Sequence, residues 1–439
     1  MAIFKDKTAI KEFLKYVPLS VFAMIAMSCY ILADTYFISQ GLGVYGLSSL
    51  NLTIPVYYFI HGIGLMLGMG GATRYSVCRS RGDGKEADKA FTSSLCAGVV
   101  FAVIFMVAGA VFPAGLATLF GADENTLHMT TSYLRVLLLF SPAFILNNIL
   151  TCFVRNDGAP RLAMLSTVAG SLSNVLLDWI FIFVCRWGMF GAAFATGLAP
   201  IIGIAISSVH LLRRKNNFKA VKGMPSLKFL FSMFALGIPS LIEQFSSAVV
   251  ILVFNFIILG LNGNDGVAAY GVVANISLVI ASVFTGIAQG IQPLVSRSHG
   301  SGDGRGGAYF ILALIFAALF SALVYVLIYF YAEPIADIFN REKQPSLTEI
   351  AADGMRIYFI AIPFVGYNVT ASAFFSSSER PAPAQVISVL RGLVLIIPAA
   401  YLFSEEFGLI GVWISYPFTE AVVFIVASIV LFAMKRRIE

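Results

Sequence analysis

Asn174 and Asp178 stand four residues apart in SLSNVLLDW, which places both on one face of any helix that contains them. Asp34 lies in ADTYFISQGLG and Thr196 in GAAFATGLAP. All four sit in apolar surroundings. An Asp at the centre of a membrane helix costs about 2.5–3.5 kcal/mol on insertion scales, so such residues need a partner or a function. Brought together, two carboxylates, an amide and a hydroxyl make a cation site. Adjacent carboxylates in a low dielectric repel each other, so at least one keeps a proton near neutrality, and the pair is a proton carrier. The same hard oxygen ligands also suit Na⁺. The competing reading is a buried hydrogen-bond network that only ties helices together.

A second group lies in the other half of the chain. Glu243, Gln244, Gln289, Gln292 and Arg391 could line a cavity, and Tyr36, close to Asp34, joins Glu243, Gln244, Gln289 and Arg391 as a candidate substrate contact. Glu243 either attracts a cationic substrate or neutralises Arg391. Glu420 could join the group if it faces the same way. Pro18 and Pro239 are candidate helix kinks, either moving elements or static bends. Arg135 and Arg356 read as snorkelling anchors near the outer helix ends. His61 could titrate, although its neighbours Gly62, Gly64 and Gly68 suggest close packing.

The elements that must position these groups follow from composition. The 439 residues are 59% apolar and 12% charged, with a mean hydropathy of +0.87. Soluble domains sit near 45–50% apolar and about 25% charged. That excludes a disordered chain, a secreted disulfide scaffold and an ordinary cytosolic enzyme. Twelve apolar runs are long enough to span: roughly 14–39, 52–74, 90–112, 132–153, 161–185, 188–212, 229–261, 268–294, 307–331, 354–376, 382–403 and 408–434. Pro113 to Thr131 is too polar and is expected along the outer surface.

With the N-terminus inside, 23 of the 29 Lys and Arg residues fall in inner segments, among them Arg155 and Arg161 between the fourth and fifth runs. Three fall outside (Arg186, Arg341, Lys343), and three lie within helices. This is a positive-inside signal that puts both termini in the cytoplasm and explains the net charge of +6 without nucleic acid.

The halves repeat. At a shift of 221, Pro18 falls on Pro239, Pro142 on Pro363 and Asn147 on Asn368, and at 220 Gly82-Asp83-Gly84 falls on Gly302-Asp303-Gly304. Asp34 falls on Asn255 and Asp178 on Ala399, so the acid pair belongs to one half only. The expected fold is an all-α polytopic membrane protein with 12 transmembrane helices in two six-helix bundles, related by a pseudo-twofold axis along the membrane normal. The first lobe is 1–212, the basic linker 213–228 and the second lobe 229–439. Two facing bundles are the architecture of alternating access, with substrate held between them.

Two GxGxxG matches, at 41–46 and 302–307, follow no strand of a βαβ unit, and Walker A and HExxH motifs are absent. An ATP-driven pump, a zinc enzyme and other enzymes are unsupported. Five cysteines with no CxxC indicate neither a disulfide framework nor a zinc site.

The sequence resembles the multidrug and toxic compound extrusion (MATE) family over essentially its whole length, and its DinF-like prokaryotic branch in particular. The resemblance is carried by the twelve helices in two like halves, Asp34 in ADTYFISQGLG, SLSNVLLDW, Thr196, the GDG loops and IAQGIQPLVS. It implies an antiporter of the cell membrane that exports lipophilic, often cationic, compounds against H⁺ or Na⁺. No cofactor beyond that coupling ion is implied. Asp34, Asn174, Asp178 and Thr196 then form the cation site of the first lobe, and the partners are small molecules and the bilayer, with the chain a monomer. A lipid-linked oligosaccharide or lipid flippase of the same superfamily is the alternative. It calls for a more cationic cavity, to which only Arg391 could contribute.

Overall fold

The computed structural model describes residues 6–222, 226–340 and 345–435, and among these the ordered elements are all helical. Helix Lys7–Ser80 has 74 residues and would measure about 110 Å if straight, over three times the hydrocarbon thickness of about 30 Å. It is therefore two spans. The chain turns at Gly43, where φ 66° and ψ −158° leave helical space. Leu227–Ser301 turns likewise at Gly263 (φ 61°), and Ile396–Lys435 at Gly408 (φ 58°). Positive φ is steric strain for an L side chain and nearly free for glycine.

With these turns the described residues form twelve spans. The first half holds α1 (7–42), α2 (44–80), α3 (Gly84–Val111), α4 (127–156), α5 (Pro160–Val184) and α6 (Gly188–Leu212). The second holds α7 (227–262), α8 (264–301), α9 (Gly306–Phe339), α10 (Pro345–Ser377), α11 (381–407) and α12 (409–435). The backbone repeats as the sequence does. Gly43 and Gly263, Gly82 and Gly302, and Gly188 and Gly408 are left-handed pairs 220 residues apart. Gly158 and Glu379, 221 apart, are both left-handed as well.

Helices run past the apolar stretches because capping side chains extend them. Asp6 accepts the Thr8 and Ala9 N–H groups, each at 3.1 Å, and starts α1 seven residues before its apolar run. The Ala9 N–H, with Arg305 nearby, holds the Asp6 carboxyl below the usual carboxylate range against the cost of burial. The polar stretch after α3 forms a short helix, Pro113–Leu119, and a turn in which Asp123 and Thr126 bond each other. The span α4 is bent by 46° at Phe140, just before Pro142. In α1 and α7 helical dihedral angles continue through Pro18 and Pro239.

Two large apolar clusters hold the bundle. One runs from Ile38 to Phe218 and adds Met233 of α7. The other runs from Phe254 to Trp413 and adds Ala9, Phe13, Tyr16, Val17 and Val21 of α1. The halves thus exchange their first spans' ends across a tight seam. Where α2 crosses α7, a Cβ built on Gly237 would lie 2.0 Å from the Met66 carbonyl oxygen, and one on Gly70 would lie 2.2 Å from that of Met233. Only glycine permits this approach.

Polar contacts close the same end. Glu379 pairs with Arg74 and, at 2.8 Å, with Arg81. Arg297 reaches Glu12 at 3.0 Å and Arg305 reaches Asp6 at 3.1 Å.

The linker is less solvated than its composition suggests. Phe218 is fully buried among Tyr75, Phe91 and Phe153. The Lys219 N–H donates to Asp88 at 2.9 Å and the Val221 N–H to Thr92 at 3.0 Å. Of the charges that set the expected orientation, Lys5, Arg341, Lys343, Arg436 and Arg437 lie outside the described residues. Arg155 is not in a loop: it is buried near the end of α4.

Gly237→Leu should prevent closure of the seam. Spin labels at Lys85 and Ser301, one on each half, are expected to report a longer mean separation in the variant than in the wild type. An unchanged distance distribution would show that the glycine contact does not hold the halves together.

Candidate functional site

Helix α5 carries Asn174 and Asp178, both fully buried, toward Asp34 of α1 and Thr196 of α6, themselves at most 7% exposed. The Asp34 and Asp178 carboxyl groups are close enough to act on each other directly. Two buried carboxylates this close repel unless a proton or another cation is shared between them. The Asn174 amide fits its neighbours in two orientations: with its nitrogen donating to Thr196 Oγ1 at 3.3 Å its oxygen faces the acids, and turned over its nitrogen donates to Asp178 Oδ2 at 3.0 Å while its oxygen accepts the Thr196 N–H at 3.3 Å. Asp34 Oδ1 and Asp178 Oδ1 are buried without a hydrogen-bond partner. A π-helical turn, Ile180–Val184, begins two residues after Asp178. Such turns displace side chains by one position and recur at functional sites.

Beside this cluster lies a cavity of about 70 Å³ in the first half, lined among others by Tyr30, Tyr57, His61, Asn148 and Thr196. The Tyr30 and Tyr57 hydroxyls are 2.5 Å apart. His61 stacks on Tyr57 with ring centroids 5.9 Å apart, and its Nδ1 meets Asn148 Nδ2 at 3.2 Å. The glycine-rich stretch of α2 therefore packs His61 tightly and still leaves it on a cavity wall. The tyrosine pair carries no sequence motif.

The second half has its own charged group. Arg391 sits within a π-helical turn of α11, Leu390–Val394. Its Nε donates to Glu420 Oε1 at 2.6 Å, and Asn368 donates to Glu420 Oε2 at 2.8 Å. Glu420 is fully buried and is the counter-ion of Arg391, and it joins Glu243 and Arg391 in lining a cavity. Glu243 lies 3.9 Å from Arg391, beyond a hydrogen bond, and accepts from Thr285 at 3.4 Å. Glu243 and Arg391 line two cavities, one of about 140 Å³ rich in tyrosine (Tyr58, Tyr270, Tyr358, Tyr416) and one of about 50 Å³ at the seam.

The remaining candidates separate. Gln244 and Gln289 line the seam cavity, and Gln289 also accepts from Arg155 at 2.6 Å across the halves. Gln292 bonds Asn156 and Thr73 in the same layer. Tyr36 is half exposed, rests on Phe37 and is not among the residues lining these cavities. Arg356 pairs with Glu333 at 3.0 Å and Asp353 at 3.2 Å, and Arg135 is exposed, so neither meets the acid clusters.

The pairing of Arg391 has a measurable consequence. Arg391→Ala strands a buried Glu420 and should cost about 3–5 kcal/mol, whereas the double change Arg391→Met with Glu420→Met should recover most of that loss. Thermal unfolding in detergent reads both, and equal destabilisation of the single and double variants would contradict the assignment.

The MatE family model matches residues 20–180 and 239–402. The multidrug export protein MepA of Staphylococcus saprophyticus is 23% identical over 424 residues, 96% of this chain and 93% of its own length. MepA of Staphylococcus aureus is 24% identical over 413 residues, 93% of this chain and 90% of its own. Among solved structures, a MOP superfamily transporter from Pyrococcus furiosus aligns with a TM-score of 0.89 at 23% identity, covering 98% of this chain and 96% of that one. A multidrug resistance MATE family transporter in an outward-facing conformation gives 0.90 at 23% identity, covering 98% and 97%.

Proposed function

This chain belongs to the MatE family, and we propose that it is a secondary active multidrug efflux antiporter of the cell membrane, exporting lipophilic or cationic compounds in exchange for H⁺ by alternating access. The observation that carries the reading is the contact between the Asp34 and Asp178 carboxyls beside a cavity in one half of a duplicated bundle. The MepA relatives named as multidrug export proteins support the substrate class. The flippase alternative calls for a more cationic cavity; Arg391 is neutralised there by Glu420, which leaves Arg155 as the cavity cation without a carboxylate partner among the described residues.

Asn174 ties the choice of ion to the orientation of its amide. With the nitrogen donating to Asp178 and the oxygen accepting the Thr196 N–H, both ends of the amide are paired without a metal ion, which suits a protonated acid pair. Sodium binding by Asp34, Asn174, Asp178 and Thr196 uses the opposite orientation, with the nitrogen on Thr196 Oγ1 and the oxygen toward the acids.

Both termini are cytoplasmic in this reading. The seam closed at their end then makes the present arrangement outward-facing. In that state Asp34 and Asp178 take up protons from outside, which removes repulsion and desolvation cost. Helix α1 bends near Pro18, the first-half cavity contracts and the substrate leaves. Inward-facing, the protons are released and a new substrate enters.

Moving a monovalent cation out against 100 mV costs about 2.3 kcal/mol, and a hundredfold gradient adds about 2.8. One returning proton offsets only the electrical part. A second supplies about 2.3 kcal/mol more, and two carboxylates can carry it.

In liposomes, ethidium efflux should follow an imposed pH jump and not a Na⁺ jump of equal size. Asp34→Asn should lower the proton-driven rate to background with the fold intact. Undiminished efflux in that variant would remove Asp34 from the mechanism, and a response to Na⁺ alone would reverse the choice of ion.

A further inference from the structure

Arg155 is 4% exposed and has no carboxylate partner among the described residues. Its Nη1 donates to Gln289 Oε1 at 2.6 Å. Its Nη2 meets only the sulfurs of Met69 and Cys152, at 3.8 and 3.6 Å. Its Nε is buried and unpaired. An uncompensated guanidinium in a membrane protein's interior is costly and marks a ligand or a path.

The same stripe of α4 carries two more unsatisfied groups. Asn147, Thr151 and Arg155 recur every four residues, so they share one face. Asn147 Oδ1, Thr151 Oγ1 and Arg155 Nε are each buried without a partner, and all three residues line the first-half cavity. From Asn147 to Arg155 the helix rises about 12 Å.

The cavity is polarised along this stripe. Tyr30 and Thr196, next to the acid pair, line it, and Arg155 and Gln289 also line it at the closed seam. Arg155 thus lines the cavity, the acid pair stands behind Thr196, and unpaired hydroxyl and amide atoms of Thr151 and Asn147 lie on the same wall as Arg155.

We propose that the inner end of this cavity is an anion seat, in which Arg155 and Thr151 hold the carboxylate of an amphoteric substrate whose amine end lies toward Asp34 and Asp178. The inference rests on reading the cavity as the substrate room of an exporter, and it names the substrate's class. A purely cationic compound leaves Arg155 uncompensated. A zwitterion matches both ends, and its negative group replaces the water that a buried guanidinium otherwise lacks.

Rhodamine B, a zwitterion at neutral pH, and its methyl ester, a cation on the same ring system, provide the test. Both are titrated against the purified full-length protein in detergent and followed by fluorescence anisotropy, with no ion gradient present. The wild type should bind rhodamine B about tenfold or more tighter than the ester, as a hydrogen-bonded charge warrants. Arg155→Gln should bring the ratio close to one mainly by weakening rhodamine B, and Thr151→Val should lower it part of the way.

A wild-type ratio near one, or a ratio that Arg155→Gln leaves intact, overturns the proposal while export of cations still stands. Should Arg155→Gln not fold, a ratio unmoved by Thr151→Val decides against it equally. Chloride titrated at constant ionic strength separates the sources of the anion. Competition with rhodamine B alone supports the seat. Chloride that tightens the ester in the wild type but not in Arg155→Gln assigns the seat to an inorganic ion and overturns the substrate carboxylate. Binding of neither dye by the wild type counts against the seat and against the cavity as substrate room, whereas the proton-driven efflux assay tests export separately.

Discussion

Two carboxyl groups sunk in hydrocarbon and touching each other set the terms for the first half of this protein. Ionised together they would face mutual repulsion and the loss of hydration, and neither forms an ion pair with a basic residue among the described residues. In the proposed antiport Asp34 and Asp178 share a small positive ion, with Asn174 and Thr196 beside them. The second half solves a similar problem covalently. Arg391 stands beside Glu420 and near Glu243 as a cation that cannot leave. In the proposed antiport one lobe holds an exchangeable charge and the other a tethered one, which gives duplicated halves unequal tasks.

The halves are joined at one end by contacts of opposite character. Backbone meets backbone at Gly70 and Gly237, where no side chain fits, while Gln289, Gln292, Asn156 and Arg155 bridge a polar layer just beside them. Close glycine crossings give a flush surface that can separate as a unit, because no interdigitated side chains must disengage. The polar layer finds water when it parts. A seam of this kind suits an interface that must open repeatedly.

Much of this was legible in the chain. The spacing of Asn174 and Asp178, the isolated Asp34 and the 220-residue repeat are sequence patterns, and the breaks between apolar runs at 39–52, 261–268 and 403–408 bracket the turns at Gly43, Gly263 and Gly408. What escaped depended on the third dimension. Arg155 looks like one more loop cation because a residue at a helix end can point into the bundle or away from it, and sequence spacing does not say which. Tyr30 and Tyr57 meet only because α1 and α2 fold back at Gly43. Glu420 could be placed only once Arg391 was seen to reach it from a π-helical turn, an irregularity with no signature in composition. Tyr36 illustrates the reverse: two residues from an essential-looking acid, it faces another way because neighbouring positions on a helix are about 100° apart.

The burial of Phe218 bears on how far the halves can travel. With Val221 fastened to Thr92 and α7 beginning at the Ser226 cap, five residues of chain bridge the lobes. Fully extended, they reach about 18 Å at most. The connection is thus a short leash, and any excursion of the second half must be a tilt about this corner, with the widest opening on the side away from it.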